Sequence, residues 1–132
     1  MLLDHLSGPW LAAVDDELAA RDRLRELAGR CAVGITQVVT GGPEPLVYHL
    51  SSHDGAVRAA WGPAVPEDVR ITEDRGVARA IAAGERNARE AFITGQVTIT
   101  GDQQRLIAAL ELIGALDEVM ATLAARTRFG DA

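Results

Sequence analysis

The sequence predicts one α/β domain, of the α+β kind, with helices packed on a five-stranded sheet. Three observations lead to this prediction. The chain has 132 residues, the size of one ordinary domain, so 1–132 is taken as a single unit. Hydrophobic residues make up 48% of it, enough for one core. Finally, segments with apolar residues at helical spacing are interspersed with short runs in which apolar and polar residues alternate.

The first half of the chain predicts a helix followed by three strands. Apolar residues recur at mostly helical spacing from Pro9 to about Ala28, and Gly29 is a suitable stop. The runs 31–39, 46–50 and 57–61 alternate in polarity and are separated by turn-forming residues. Together these three runs predict an antiparallel meander.

The second half predicts two more strands and three helical segments. A fourth strand covers 69–72, and a helix then begins with Glu73 and Asp74 in its first turn, where acidic residues are favoured. A short helix carries 88–92, and a fifth strand covers 97–100.

The last helical region is predicted from an N-cap at Asp102 to about Arg126. Its apolar residues form one continuous side, and Gly114 lies in the middle. The glycine indicates either a kink or a break into two helices.

Composition excludes several classes of function. The net charge is −6, which opposes binding to nucleic acid or to an anionic membrane. All 13 basic residues are arginine, so no lysine can form a Schiff base or hold a phosphate in a P-loop. Cys31 is the only cysteine, so there is no intrachain disulfide or multi-cysteine metal site. We expect no transmembrane segment, no signal peptide and a cytoplasmic location.

Candidate chemical groups are few. His49 and His53 are four residues apart beside Asp54, but one lies on a predicted strand and the other in a turn, so a shared metal or triad geometry is not expected. Arg79, Arg86 and Arg89 form a basic cluster around two helices, which is either a solvated face or a contact for an acidic head group. No metal, cofactor or active site is predicted.

The segment Gly84–Asp102, GERNAREAFITGQVTITGD, resembles the signature of the sterol carrier protein 2 (SCP2) domain family. It has a short helix ending in Ala-Phe, a strand of alternating hydrophobic residues after a glycine, and Gly-Asp before the next helix. The resemblance implies a five-stranded sheet with helices on one face around a hydrophobic tunnel. It also implies a non-catalytic carrier of a lipid, sterol or fatty acyl chain, here as a bacterial, actinobacterial-type member.

The resemblance further implies which residues line the tunnel and bind the ligand. They are Phe92, Ile93, Val97, Ile99, Leu106, Leu110, Leu116 and Met120. A hinge at Gly114, allowing the C-terminal helix to act as a lid, is an additional hypothesis. The lysine-rich face with which family members dock on membranes is missing, so loading from anionic bilayers is in question.

Two alternatives to a carrier remain open at this stage. The first is an enzyme or biosynthetic accessory protein that converts an apolar substrate in the same cavity, with His49, Tyr48 or a buried carboxylate as acid or base. The second is an interaction protein in which the apolar side of the C-terminal helix closes a homodimer.

Overall fold

A computed structural model describes residues 2–30, 32–53 and 55–129. Cys31 and Asp54, which the sequence analysis discusses, lie outside the described residues, and the same holds for the side chains of His53 and Arg89. In chain order the elements are β1 (Leu3–Asp4), α1 (Gly8–Ala20), α2 (Asp22–Arg30), β2 (Val33–Thr40), β3 (Leu46–His53), β4 (Ala56–Trp61), β5 (Val69–Asp74), α3 (Arg75–Ala82), α4 (Ala88–Ile93), β6 (Thr98–Gly101), α5 (Gln103–Ala124) and β7 (Thr127–Arg128).

The main sheet has five strands in the order β4-β3-β2-β5-β6. Strands β2, β3 and β4 form an antiparallel meander, as the sequence predicts. Strand β5 then runs parallel to β2, and β6 returns antiparallel to β5. The α/β class and the five-stranded sheet are therefore confirmed. The short parallel pair of β1 and β7, near the two ends of the chain, is not foreseen by the sequence.

The first predicted helix is two helices, which corrects the sequence analysis. Arg21 has an extended backbone (φ −93°, ψ 116°) and ends α1 before α2 begins. The reason lies in the spacing of the buried leucines. Leu18 and Leu24 are six residues apart, which would place them on different sides of one continuous helix. The break lets both reach the core, where each is almost fully buried.

The start of α3 also differs from the prediction. Glu73 and Asp74 end β5, paired with Val39 and Thr40 of β2, and neither lies in the first turn of a helix. Asp74 is instead the N-cap, and its carboxylate accepts a hydrogen bond from the Val77 amide at 2.8 Å. Acidic residues are favoured both in the first turn and at the N-cap, so composition alone does not separate the two positions.

Helix α5 runs without interruption from Gln103 to Ala124, so a break at Gly114 is wrong. The predicted N-cap at Asp102 is confirmed, because its carboxylate accepts a hydrogen bond from the Gln104 amide at 2.8 Å. A glycine inside a helix costs only about 1 kcal/mol. Buried side chains on both sides of Gly114, including Leu112 and Leu116, anchor the helix in the core.

The helices pack on one face of the sheet, and a loop covers part of the other. On the loop side, the Ala64 amide donates to the Thr36 hydroxyl of β2 at 3.0 Å. A Cβ at Gly34 would lie 2.1 Å from the Pro66 carbonyl oxygen, so the close approach of this loop requires glycine. On the helix side, the core forms one continuous cluster that includes Ile35 and Val39 of β2.

Candidate ligand cavity

The floor of a cavity is set by strand register. Tyr48 on β3 pairs with Gln37 on β2, Gln37 pairs with Ile71 on β5, and Ile71 pairs with Ile99 on β6. These four residues therefore form one row across the sheet, on the face that the helices cover. Side chains two apart on a strand share a face, so Glu73 projects to the same side as Ile71.

Helices α3, α4 and α5 cover this floor. Residues of α5 at helical spacing supply most of the roof, and the turn after β1 lies at one end. The complete lining is His5, Leu6, Gln37, Tyr48, Ile71, Glu73, Ala78, Ile81, Ala88, Phe92, Val97, Ile99, Leu110, Ile113, Leu116, Asp117 and Met120. The lining is thus mainly apolar, with a few polar groups directed into it. We refer to this space as the cavity.

The cavity is narrow. The region that admits the centre of a water molecule measures about 30 Å³, which is room for one or two waters. Pockets that hold drug-sized molecules commonly measure about 300–1,000 Å³. A larger guest therefore requires the covering helices to move apart.

Glu73 is a buried acid in the cavity with a strongly shifted pKa. Its side chain is only 8% exposed. Burial raises the pKa of Glu73 to about 7, and the negative charges of Asp117 and Asp74 add to this shift. The carboxyl group is therefore partly protonated near neutral pH, so it can donate as well as accept a hydrogen bond.

Two other lining groups have shifted pKa values. Burial raises the pKa of the Tyr48 phenol well above its ordinary value, and the charge of Glu73 raises it further. Burial also lowers the pKa of His5 to about 4, with a further contribution from the positive charges of Arg75 and Arg79. His5 is therefore neutral at physiological pH, with its ring edge against Trp10 at a centroid distance of 5.0 Å.

Six of the eight predicted ligand-binding residues line the cavity: Phe92, Val97, Ile99, Leu110, Leu116 and Met120. Ile93 does not, because it is 74% exposed. Consecutive helical residues are about 100° apart, so α4 cannot direct both Phe92 and Ile93 inward. Leu106 packs against the core without lining the cavity, one turn closer to the start of α5 than Leu110.

The polar lining residues Gln37, Glu73 and Asp117 were not assigned to a site by the sequence analysis. One signal was available for Glu73, because the alternation of Val69 and Ile71 continues to it and marks it as inward-facing. The prediction that a helix begins at Glu73 concealed this signal. Gln37 and Asp117 had no such signal, since their positions depend on how the strands and α5 come together.

The histidine candidates do not form a site among the described side chains. His49 follows Tyr48 on β3 and so faces away from the cavity, where its Nδ1 lies 3.0 Å from the Gly62 carbonyl oxygen. Over the described parts of the chain, no cluster of three or more His, Cys, Asp or Glu residues could hold a metal ion.

A second depression of about 320 Å³ lies near the start of β2. It is lined by Ala32, Val33, Gly34, Ser51, Ser52, Val65, Pro66, Asp68 and Arg105. Although this depression is wider, its lining is more polar, and the Asp68 carboxylate is already used by the Gly34 amide at 2.8 Å. The enclosed cavity with convergent polar groups is the better ligand site.

Fold and cavity together define a class: an α/β domain with an apolar cavity between a five-stranded sheet and its covering helices. The sequence profile described as the SCP-2 sterol transfer family matches residues 10–114. The chain therefore belongs to the SCP-2 sterol transfer family. No curated protein matches the sequence closely enough to count as a relative.

Solved structures agree with this assignment at the level of the fold. A conserved hypothetical protein of Thermus thermophilus superimposes with a TM-score of 0.70 and 18% identity, over 96% of this chain and 91% of that one. Sterol carrier protein 2 from Yarrowia lipolytica superimposes with a TM-score of 0.61 and 16% identity, over 84% of this chain and 89% of that one. Palmitated SCP2L2 from Aedes aegypti superimposes with a TM-score of 0.54 and 15% identity, over 80% of this chain and 93% of that one. Among the helices described, none is long and apolar enough to cross a membrane.

Proposed function

We propose that this protein is a non-catalytic binding module that carries a lipid, sterol or other apolar small molecule in the cavity. The observation that carries the proposal is the mainly apolar cavity between the sheet and three helices. Membership of a sterol transfer family and a palmitated structural neighbour are consistent with it.

The driving force is removal of apolar surface from water. Each buried methylene group contributes about 0.8 kcal/mol, offset by the cost of immobilising the guest and moving the helices. Helix α4 is a suitable moving part, because it has only six residues and Phe92 at its end is partly exposed.

The two alternatives have less support. The apolar side of α5, on which the dimer hypothesis depended, is buried within the chain at Leu112, Val119 and Leu123. Of the groups considered for acid–base chemistry, His49 lies on the other face of the sheet. Burial raises the pKa of Tyr48 and so disfavours its ionised form. Glu73 is the buried carboxylate with a pKa near neutrality, and it is the one observation that favours the enzyme alternative.

A matched pair of variants tests the proposal. Leu110→Arg places a charge in the cavity roof, whereas Ile107→Arg places the same charge on the same helix at a residue that is 73% exposed. Binding of diphenylhexatriene, an uncharged apolar fluorophore, is measured by its emission. We expect Leu110→Arg to weaken binding at least tenfold, because an unpaired charge opposes apolar burial, and Ile107→Arg to bind as the unmodified protein does.

Native mass spectrometry of the purified protein, followed by solvent extraction, identifies any molecule that it retains. Equal fluorophore binding by the two arginine variants, with both folded by circular dichroism, would contradict the location of the site. An unmodified protein that binds neither the fluorophore nor any apolar molecule would contradict the proposed function.

A further inference from the structure

Three polar side chains line the cavity without a hydrogen-bond partner among the described residues. Within the described residues, no hydrogen bond is found to the side chains of Gln37, Tyr48 or Glu73. All three are at least nine-tenths buried, and all three line the cavity. Buried polar groups are normally hydrogen-bonded, so polar groups that face a cavity without a partner mark a place where a ligand group can bind.

These three groups are neighbours. Gln37 and Tyr48 are directly paired across β2 and β3, which places their Cβ atoms about 4.5–5.5 Å apart. Gln37 is also paired with Ile71, and Glu73 is the next inward-facing residue along β5. The charge of Glu73 acts on Tyr48, which is further evidence that the two are close. The three side chains therefore line the same part of the cavity.

The charges around Glu73 determine which kind of ligand group is compatible. Asp117 also lines the cavity, and both Asp117 and Asp74 raise the pKa of Glu73. The cations Arg75 and Arg79 shift the pKa of His5, whereas the shift of Glu73 comes from burial and from the negative charges of Asp117 and Asp74. A carboxylate placed beside Glu73 would thus meet like charges in a poorly solvated site.

We propose that the ligand is an apolar molecule that ends in a hydroxyl group, that this hydroxyl hydrogen-bonds with Glu73, Tyr48 and Gln37, and that long-chain carboxylates are disfavoured. This inference rests on the proposed function and specifies its ligand. A hydroxyl suits the site because it supplies one donor and two acceptor positions. It donates to the Glu73 carboxylate while it accepts from the Gln37 amide or the Tyr48 phenol.

The test compares three ligands that share one alkyl chain: dodecanol, dodecanoate and dodecyl methyl ether. Each displaces diphenylhexatriene from the full chain at pH 8. We expect dodecanol to bind at least about tenfold more tightly than either of the others. The ether lacks the donor and leaves Glu73 unpaired, whereas dodecanoate adds a charge next to it. Equal displacement by dodecanol and the ether would overturn the inference without the use of any variant.

A variant pair isolates the role of Glu73. Glu73→Gln removes the charge and keeps the shape, and Glu111→Gln makes the same change at an exposed position on α5. Glu73→Gln is expected to reduce the preference for dodecanol over dodecanoate about tenfold, whereas Glu111→Gln preserves it. A preference that survives in a folded Glu73→Gln protein would overturn the inference. If these proteins bind neither the fluorophore nor any apolar molecule, the proposed function itself fails.

Discussion

Glu73 lies in an environment that disfavours its charged side chain. It lies near the end of a strand, projects toward apolar side chains, and has neighbours of its own sign. Natural proteins keep such costly groups mainly where they serve binding or chemistry. The pH dependence of stability should show this cost directly.

The first prediction concerns Glu73→Gln. The carboxyl group has a pKa of about 7 in the folded protein and 4.5 as its ordinary value. The folded state therefore binds more protons between these pH values, and the protein loses stability as pH rises through this window. The variant lacks this loss. We expect its free energy of unfolding, relative to the unmodified protein, to increase by about 3 kcal/mol from pH 4.5 to 7.5.

Urea denaturation at several pH values measures this difference, with Glu111→Gln as the exposed control. His5 changes stability in the opposite direction. Its lowered pKa gives a stability contribution that is present above pH 6.5 and lost as pH falls toward 4. Because His5 is present in every protein of the series, its effect cancels in the comparison. A Glu73→Gln difference that stays constant with pH would contradict the buried position of the carboxyl group.

At the level of elements, two glycines differ in whether they can be replaced by a larger residue. One lies in α5 and the other in β2. Gly114 lies in the middle of α5, and a Cβ there would meet no atom within 4 Å. Gly34 in β2 lies against the Pro66 carbonyl, where a Cβ cannot fit without a shift of backbone. The same substitution should therefore have opposite effects at the two positions.

The second prediction is that Gly114→Ala stabilises the protein by about 0.5–1 kcal/mol, because alanine loses less backbone entropy in a helix. Gly34→Ala is expected to destabilise it by more than about 1 kcal/mol through the clash with the loop. Thermal unfolding of both variants measures these effects. Destabilisation by Gly114→Ala would show that the glycine has a role which an alanine cannot fill.

The Gly114→Ala variant also tests the hinge hypothesis from the sequence. Since α5 continues unbroken through Gly114, we expect ligand exchange to proceed at the unmodified rate in this variant. Stopped-flow release of diphenylhexatriene gives the rate. A clear slowing would restore Gly114 as a hinge and would move the opening of the cavity from α4 to the second half of α5.

At the scale of the whole molecule, the charge bears on how a ligand reaches the cavity. The net charge is −6, and the chain contains no lysine. Attraction to an anionic membrane requires clustered basic residues near the surface. The protein as a whole is repelled by such a membrane.

The third prediction follows from this repulsion. Diphenylhexatriene that is bound in the cavity, defined as the fraction that dodecanol displaces, is transferred from the protein to phosphatidylcholine vesicles. We expect this transfer not to become faster when phosphatidylserine is added to the vesicles. Ligand would then leave through water or through a protein partner. An increase in transfer rate with phosphatidylserine, abolished at high salt, would instead indicate a local basic docking surface. The arginines of α3 and the turn that follows it are the first to replace in that case.

Much of the architecture could be predicted from local sequence. Alternating polarity located all five strands of the main sheet to within about three residues, and Asp102 identified the start of α5. These features depend on periodicity and on side chains that cap their own neighbouring backbone, so they are readable within a short window. The prediction was wrong where one sequence feature fits two structures. The acidic pair at the end of β5, for example, was assigned to the first turn of the next helix.

The residues that line the cavity were likewise predictable only in part. The segment after Gly84, together with the apolar stripe of α5, determined the family and most of the apolar lining. Tertiary structure alone decided that Gln37, Tyr48 and Glu73 share one buried corner, because strand register joins residues that are distant in the chain. It also decided that Ile93 faces solvent and that α5 stays unbroken at Gly114. The physical reason is that the burial and the pKa of a side chain depend on which elements pack against each other. The sequence of one strand or helix does not specify which elements these are.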